Sequence, residues 1–338
     1  MGGGNLGCSV VRRCGLMRAI SNGLMVCAWI ALVWLVSLYA NRLELAPQAP
    51  AQWAGLAYSP YRHLPAQWAP PQIKGPNSAQ LADDVLLLAR HTRAVRTYSV
   101  DEAHLQLARK LSDSNLSWTV GAWLGPEPSA NAAELARLDA LLKVPSSAVA
   151  RVLVGNETLL RGDLTAQELA MALRQVKRST SLPVSTAEPW HVWLKHPELA
   201  QQVDFLAVHV LPYWEGIPLN RALLFVQQTI EQLRQAYPGK PVVLTEVGWP
   251  SQGRSVGQAQ AGLAQQALFI RQFVQWADVA QLDYFLMEAF DQPWKTDFEG
   301  SVGGHWGVFN DEREAKFDTR NPVIAIPQWK LLATSSIL

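Results

Sequence analysis

The sequence predicts an α/β protein, a closed parallel (β/α)8 barrel preceded by one N-terminal transmembrane helix. Three observations predict it. From Ala51 onward eight short apolar runs alternate with amphipathic stretches, the pattern of strand followed by helix repeated around a parallel barrel. No glycine-rich phosphate loop follows any of these runs, which counts against an open nucleotide-binding sheet. A nearly uncharged apolar stretch, Gly23 to Ala40, stands before them, and at about 1.5 Å per residue it reaches across a hydrocarbon core.

The N-terminal part divides into a basic cytoplasmic tail (1–18), a transmembrane signal anchor (19–40) and a linker (41–52) with Pro47 and Pro50. Arg12, Arg13 and Arg18 precede the apolar stretch and by the positive-inside tendency stay cytoplasmic. Leu38, before Tyr39-Ala40, spoils a small-x-small cleavage site, so an uncleaved anchor is expected. This makes a single-pass type II protein of the cell membrane, with residues 53–338 forming a barrel domain on the periplasmic or extracellular side. Cys8, Cys14 and Cys27 all lie in or before the anchor, which leaves the barrel domain without disulfide or thiol chemistry.

The eight runs are Trp53–Ser59, Ala94–Tyr98, Ser117–Trp123, Val149–Glu157, Pro183–Trp190, Val203–Val210, Pro241–Ser251 and Asp283–Asp291. Helical patterns follow at Ser78–His91, from a cap at Asp101, from near Ser129, from the capping box Thr165-Ala166-Gln167-Glu168, at Leu219–Ala236 and around Gln258–Ala277. Polar residues collect at the C-terminal ends of the runs: Arg96 and Tyr98, Trp123, Asn156 and Glu157, Glu188 and Trp190, His209 and Tyr213, Glu246 and Trp249, Glu288 and Asp291. In a parallel barrel that end carries the active site.

A net charge of +1 gives no electrostatic case for nucleic acid. There is no His pair at metal-ligand spacing, no cysteine in the barrel and no serine nucleophile elbow, so no metal or cofactor is expected. Four glutamates reach the expected rim: Glu157, Glu188, Glu246 and Glu288. Paired carboxylates among aromatics suit glycoside chemistry, one acid protonating the leaving oxygen and another attacking or activating water. The chain holds 14 Trp, all but Trp29 and Trp34 beyond the apolar stretch, and indole faces can lie against sugar rings. Spacing leaves two pairs open, since Glu157 with Glu246 and Glu188 with Glu288 each stand three strands apart.

Val243-Leu244-Thr245-Glu246-Val247-Gly248-Trp249-Pro250-Ser251 closely resembles the signature of glycoside hydrolase family 17, whose members act on β-1,3-glucans. Arg96-Thr97-Tyr98, Gly155-Asn156-Glu157 and Leu211-Pro212-Tyr213 are similar to its motifs on strands two, four and six. Ala289 to Lys295, with Glu299-Gly300 and Gly304-His305-Trp306-Gly307, is similar to the end of fungal and bacterial members. The resemblance covers about Trp53 to Phe317. It implies a retaining enzyme on β-1,3-glucan, with Glu157 as acid and base and Glu246 as nucleophile. Asn156 would hold a sugar hydroxyl; Tyr98, Glu188, His209, Tyr213, Trp249, Glu288 and Lys295 complete the expected substrate-binding set. Trp190, Trp214, Trp294 and Trp306 join Trp249 as stacking candidates, about half of these five being expected to serve as packing. Leu211 replaces the Tyr usual in plant members, and the Cys that often follows the strand-two motif in fungal ones is missing; with the anchor, this suggests a bacterial membrane-anchored member. Two other activities stay open: a transglycosylase making branched or β-1,6-linked glucan, and a non-catalytic glucan-binding or synthase-associated protein.

Overall fold

Eight parallel strands close into a barrel in sequence order. They are β1 (Leu56–Ala57), β2 (Ala94–Arg96), β3 (Ser117–Ala122), β4 (Val149–Asn156), β5 (Val184–Pro189), β6 (Leu206–His209), β7 (Val242–Val247) and β8 (Tyr284–Leu286). Closure comes where Leu56 of β1 pairs with Leu286 of β8. The computed structural model describes residues 7–40, 42–43, 52–62, 75–144, 148–317 and 323–324. It forms two compact units, Met1–Glu44 with Pro322–Leu338, and Leu45–Asn321. In the first, one helix runs Gly7–Ala40, and Arg42–Leu43 pairs antiparallel with Val323–Ile324. The apolar window Asn22–Tyr39 of that helix has no buried residue.

Strand alternation sorts the barrel's side chains into two sets. Leu153, Ala187, Ala207, Val243 and Phe285, with Phe205, form a small cluster of their own. Their strand neighbours Val152, Val154, Val208, Leu244 and Leu286 belong to the large core shared with the surrounding helices. Successive side chains of a strand point to opposite faces, so the small cluster is the barrel filling and the large one the outer layer.

The helices begin where the local chemistry predicts. Asn77 and Thr165 each close a full capping box, on the helices Ser78–His91 and Ala166–Lys177. Asp101 caps Glu102–Ser112, accepting from Ala103 N and His104 N. Leu219–Ala236 forms over its expected span.

Two expectations are corrected, and two helices that the sequence did not announce are added. The first run yields a strand of only two residues, and the last one of three, because beyond Leu286 the backbone pairs with the C-terminal loops, Glu288 N donating to Trp306 O and Asp291 N to Phe309 O. The helix after β7 starts at Leu263, not Gln258, since Gln258 N donates to Gly216 O and Val256 bridges Ala259. Two short helices, Trp190–Lys195 and Pro197–Ala200, follow β5. Pro197 divides what would otherwise read as one amphipathic stretch, which hid both. The linker and the segment after Phe317 lie mostly outside the described residues.

Candidate active site

β2 ends on Arg96, which is 1% exposed and ties three strands together. Its Nη1 donates to Glu246 Oε1 at 2.7 Å and to Thr245 O at 3.1 Å on β7, and its Nη2 donates to Asn156 Oδ1 on β4. Two residues on, the Tyr98 ring lies under the guanidinium at 4.3 Å, and its hydroxyl donates to Glu246 Oε1 at 2.9 Å. The alternation of β2 therefore turns Arg96 and Tyr98 to one side, toward the same carboxylate.

β4 reaches the site through an irregular end. Its pairing with β5 shifts between Leu153 and Asn156. Within that shift Gly155 takes φ +84°, and a Cβ there would stand 2.5 Å from Thr158 Oγ1. Glu157 itself has φ +53°, a left-handed conformation that non-glycine residues seldom adopt outside turns and functional sites. On β7 the turn after Glu246 needs Gly248, since a Cβ there would meet Met287 O at 2.3 Å.

His209, at the end of β6 and 2% exposed, stands between the two carboxylates. Its Nδ1 lies 2.8 Å from Glu157 Oε1 and 3.4 Å from Glu246 Oε2. Flanked by two carboxylate acceptors, Nδ1 carries a proton and donates. One ligating atom from each of Glu157, His209 and Glu246 falls within 4.8 Å of the others. That is metal-like geometry, but His209 Nδ1 faces both carboxylates as a donor, and the Arg96 cation already balances Glu246 through its other oxygen, Oε1.

Burial pushes the Glu246 carboxyl up, yet the charges of His209, Arg96 and Lys295, with the Tyr98 hydroxyl, outweigh it and hold the group below the usual range. Glu288 goes the other way: burial raises it, only partly offset by Lys295. Lys295 Nζ contacts both Glu288 oxygens, at 2.9 and 2.8 Å, and Gln292 Nε2 donates to Oε2 at 2.7 Å. Glu299, one helical turn beyond Lys295, is raised to about 7 by burial and by the nearby carboxylates Glu288, Glu246 and Glu157, against the pull of Lys295.

These groups open into a cleft of about 580 Å³. Of the expected site residues, Glu157, Glu246, Tyr98, Asn156, His209 and Lys295 line it. Glu188, Tyr213, Trp249 and Glu288 do not; none has any exposed surface. The physical reasons differ. Glu188 accepts backbone N–H groups from Leu159 and Leu160, and Glu288 is spent on Lys295 and Gln292. Tyr213 donates its hydroxyl to Arg254 O and packs edge-on to Trp249 and Trp306. Trp249 donates to Gln260 O at 2.9 Å.

Among the tryptophans, Trp123, Trp190, Trp214 and Trp294 line the cleft, whereas Trp249 and Trp306 are core. Lining residues not placed in the site from the sequence include Tyr61, Asp101, His104, Arg161, Phe298 and Glu299. Asp101 was legible only as a helix cap, although it also accepts from His104 Nδ1 at 2.7 Å and from the Tyr61 hydroxyl. Glu299 carried a usable signal, its spacing of four from Lys295.

The chain resembles known proteins over the same region. A family model for the BtgE/BtgC glycoside hydrolase domain matches residues 55–307. A glucan 1,3-beta-glucosidase of Schizosaccharomyces pombe is 29% identical over 253 residues, 70% of this chain and 78% of that protein. One of the same name from Arthroderma benhamiae is 28% identical, covering 72% of this chain and 84% of its own. Among solved structures, a glycoside hydrolase family 17 beta-1,3-glucanosyltransferase from Rhizomucor miehei superposes with a TM-score of 0.70 at 25% identity, covering 80% of this chain and 98% of its own. An active-site mutant of that enzyme is known in complex with laminaritriose, at a TM-score of 0.69. With the family model spanning β1 to the loops beyond β8, the chain belongs to the BtgE/BtgC glycoside hydrolase domain family.

Proposed function

We propose that this protein is a retaining enzyme of β-1,3-glucan, with Glu246 as nucleophile and Glu157 as general acid and base. The observation that carries the reading is the approach of carboxylate oxygens of Glu157 and Glu246 to within 4.8 Å. Retaining glycosidases hold their two carboxyl groups about 5–5.5 Å apart, whereas inverting ones leave about 6.5–9.5 Å for a water. The environments of the two carboxylates differ as well. Glu246 is 5% exposed and held ionised by Arg96 and Tyr98, while Glu157 is the more open of the two, its side chain 27% exposed.

In this mechanism Glu157 gives a proton to the glycosidic oxygen as Glu246 attacks the anomeric carbon, forming a glycosyl ester and freeing the leaving sugar. Glu157, now a carboxylate, then takes the proton of an incoming hydroxyl that displaces Glu246. The rival pair Glu188 and Glu288 has no exposed surface with which to meet a sugar. The test is product analysis on laminari-oligosaccharides by NMR. First-formed β-anomers fit retention; first-formed α-anomers overturn it, and binding without turnover favours a non-catalytic glucan-binding role.

One observation favours transfer beside hydrolysis. In the closed strand order, Trp190 and Trp214 follow β5 and β6 on one arc between the carboxylates, while Tyr61, Tyr98, Trp123 and Trp294 belong to the other arc. Aromatic surface on both arcs offers sugar-binding faces on each side of the scissile bond, so that a glucan hydroxyl competes with water for the glycosyl ester. Longer or branched products at high oligosaccharide concentration identify that route.

The exposed apolar helix suits a signal sequence or an anchor, and the reading adopted is the anchor: residues 19–40 span the membrane, 1–18 stay in the cytoplasm, and a linker at 41–52 leads to the catalytic domain outside, as in a bacterial membrane-bound member. Membrane fractionation with carbonate washing tests this, and release of an N-terminally processed protein overturns it.

A further inference from the structure

We propose that Glu188 is a positioning residue that holds Glu157 in its reactive place, acting through the backbone of the loop after β4. The inference rests on the reading of Glu157 as general acid and base. Glu188 lies on β5, has no exposed surface and does not reach the cleft. Its Oε1 accepts Leu159 N at 2.8 Å and its Oε2 accepts Leu160 N at 3.3 Å. Next to it on the same strand, Ala187 O accepts Glu157 N at 2.7 Å.

The loop needs such a hold. Gly155 and Glu157 both take positive φ, +84° and +53°, and a left-handed residue other than glycine persists only where its surroundings over-determine it. The clasp is two-sided. Beneath the loop stands Glu188; across it, Arg161 donates to Asn156 O and to Leu124 O. A neutral amide in place of Glu188 supplies one acceptor for two donors and sets its own N–H2 against the other.

The charge environment argues for a role beyond packing. No lysine or arginine among the described residues makes a salt bridge to Glu188 within the fold. Burial drives the group up to about 7, the backbone N–H groups of Leu159 and Leu160 and the charge of His209 pulling it back. A buried acid with no cation beside it, ionised or protonated, costs stability that an apolar side chain of similar volume would not. What the carboxylate supplies in return is two acceptors fixed under the catalytic loop.

The test uses two substrates that differ in their need for an acid. Departure of a sugar from laminaritriose requires a proton from Glu157, whereas fluoride leaves laminaribiosyl fluoride without one. In Glu188→Gln, kcat/KM on laminaritriose is expected to fall about 100-fold, the scale of a misplacement near 1 Å. KM should stay nearly unchanged, and the fluoride-release burst should remain within about threefold of wild type. Glu188→Asp, which keeps the charge, serves if the Gln variant does not fold, with the same selectivity at about tenfold. Equal losses on both substrates overturn the proposal, because a fold defect removes active molecules without regard to the leaving group. Glu157→Gln is the control: if it fails to discriminate between the substrates, the acid and base reading falls; if it discriminates and the Glu188 variants do not, only the positioning role falls.

Discussion

Arg96 Nη1 lies 2.7 Å from Glu246 Oε1, and the two side chains are 1% and 6% exposed. A pair so buried is poorly screened, and its charges depend on each other. The guanidinium also reaches Asn156, so one side chain from β2 sets the carboxylate on β7 and the amide on β4. Arg96→Ala leaves Glu246 buried without its cation, an expected loss of about 3–5 kcal/mol in stability, measurable by urea denaturation. Arg96→Lys keeps the charge but cannot span both partners. It is expected to fold and to lose at least tenfold in kcat, and wild-type kcat in that variant would contradict the bridging role.

His209 is expected to shape the acidic side of the pH profile through Glu246. Burial raises the Glu246 carboxyl, and His209, Arg96 and Lys295 together bring it below the usual range. As the proposed nucleophile, Glu246 must be ionised, so the acidic limb of kcat/KM is expected below the ordinary glutamate value of about 4.3. In His209→Gln one of the lowering charges is gone, and the limb moves to higher pH. The stability linkage has a matching sign. A depressed carboxylate contributes stability above its unfolded pKa, and that contribution is lost as pH falls through the folded value. The variant therefore gains less stability than wild type on going from pH 3 to pH 6. A limb that stays in place would remove His209 from this role.

How far the sequence could be read depends on what each residue type can signal. Glu157, Glu246, Asn156, Tyr98 and His209 stand at strand ends, where order along the chain translates directly into place on the barrel mouth; they meet in the cleft. Glu188 and Glu288 occupy equivalent strand-end positions, but whether such a side chain points at solvent or at a neighbouring loop is decided by partners far along the chain, Leu159 and Lys295 among them. The bulge that turns Glu157 left-handed had only Gly155 as a trace. The aromatic rim beyond β8 depends on how Thr296–Glu299 folds back, which no periodicity over four residues can reveal.

Glu299 is expected to leave a mark on thermal stability. Its carboxyl, raised to about 7 by burial and neighbouring carboxylates, binds a proton more tightly folded than unfolded. Stability from such a group is complete below about pH 4.3 and is lost as pH rises through the folded value near 7. Glu299→Gln removes this dependence, so the melting temperature of the variant should decline less between pH 4.5 and 7.5 than that of wild type. Parallel melting curves across that range would show that Glu299 titrates normally.

Two tryptophans separate ligand contact from packing. Trp249 has no exposed surface, lies edge-on to Tyr213 at 5.5 Å and meets Phe269 at 5.6 Å. Trp249→Ala opens a cavity in a close-packed core, at an expected cost of about 3–5 kcal/mol. Trp214, one residue after Tyr213, is half-buried and lines the cleft, with the Arg254 guanidinium 6.0 Å from its ring. Trp214→Ala should change the melting temperature little and weaken oligosaccharide binding. At about 0.5–1.5 kcal/mol for an aromatic contact, KM rises roughly 2- to 13-fold. The effect should grow with chain length, because Trp214 can help only substrates long enough to reach its arc of the barrel. Measuring kcat/KM on laminaribiose through laminarihexaose checks this; equal effects at every length would assign Trp214 to packing, alongside Trp249.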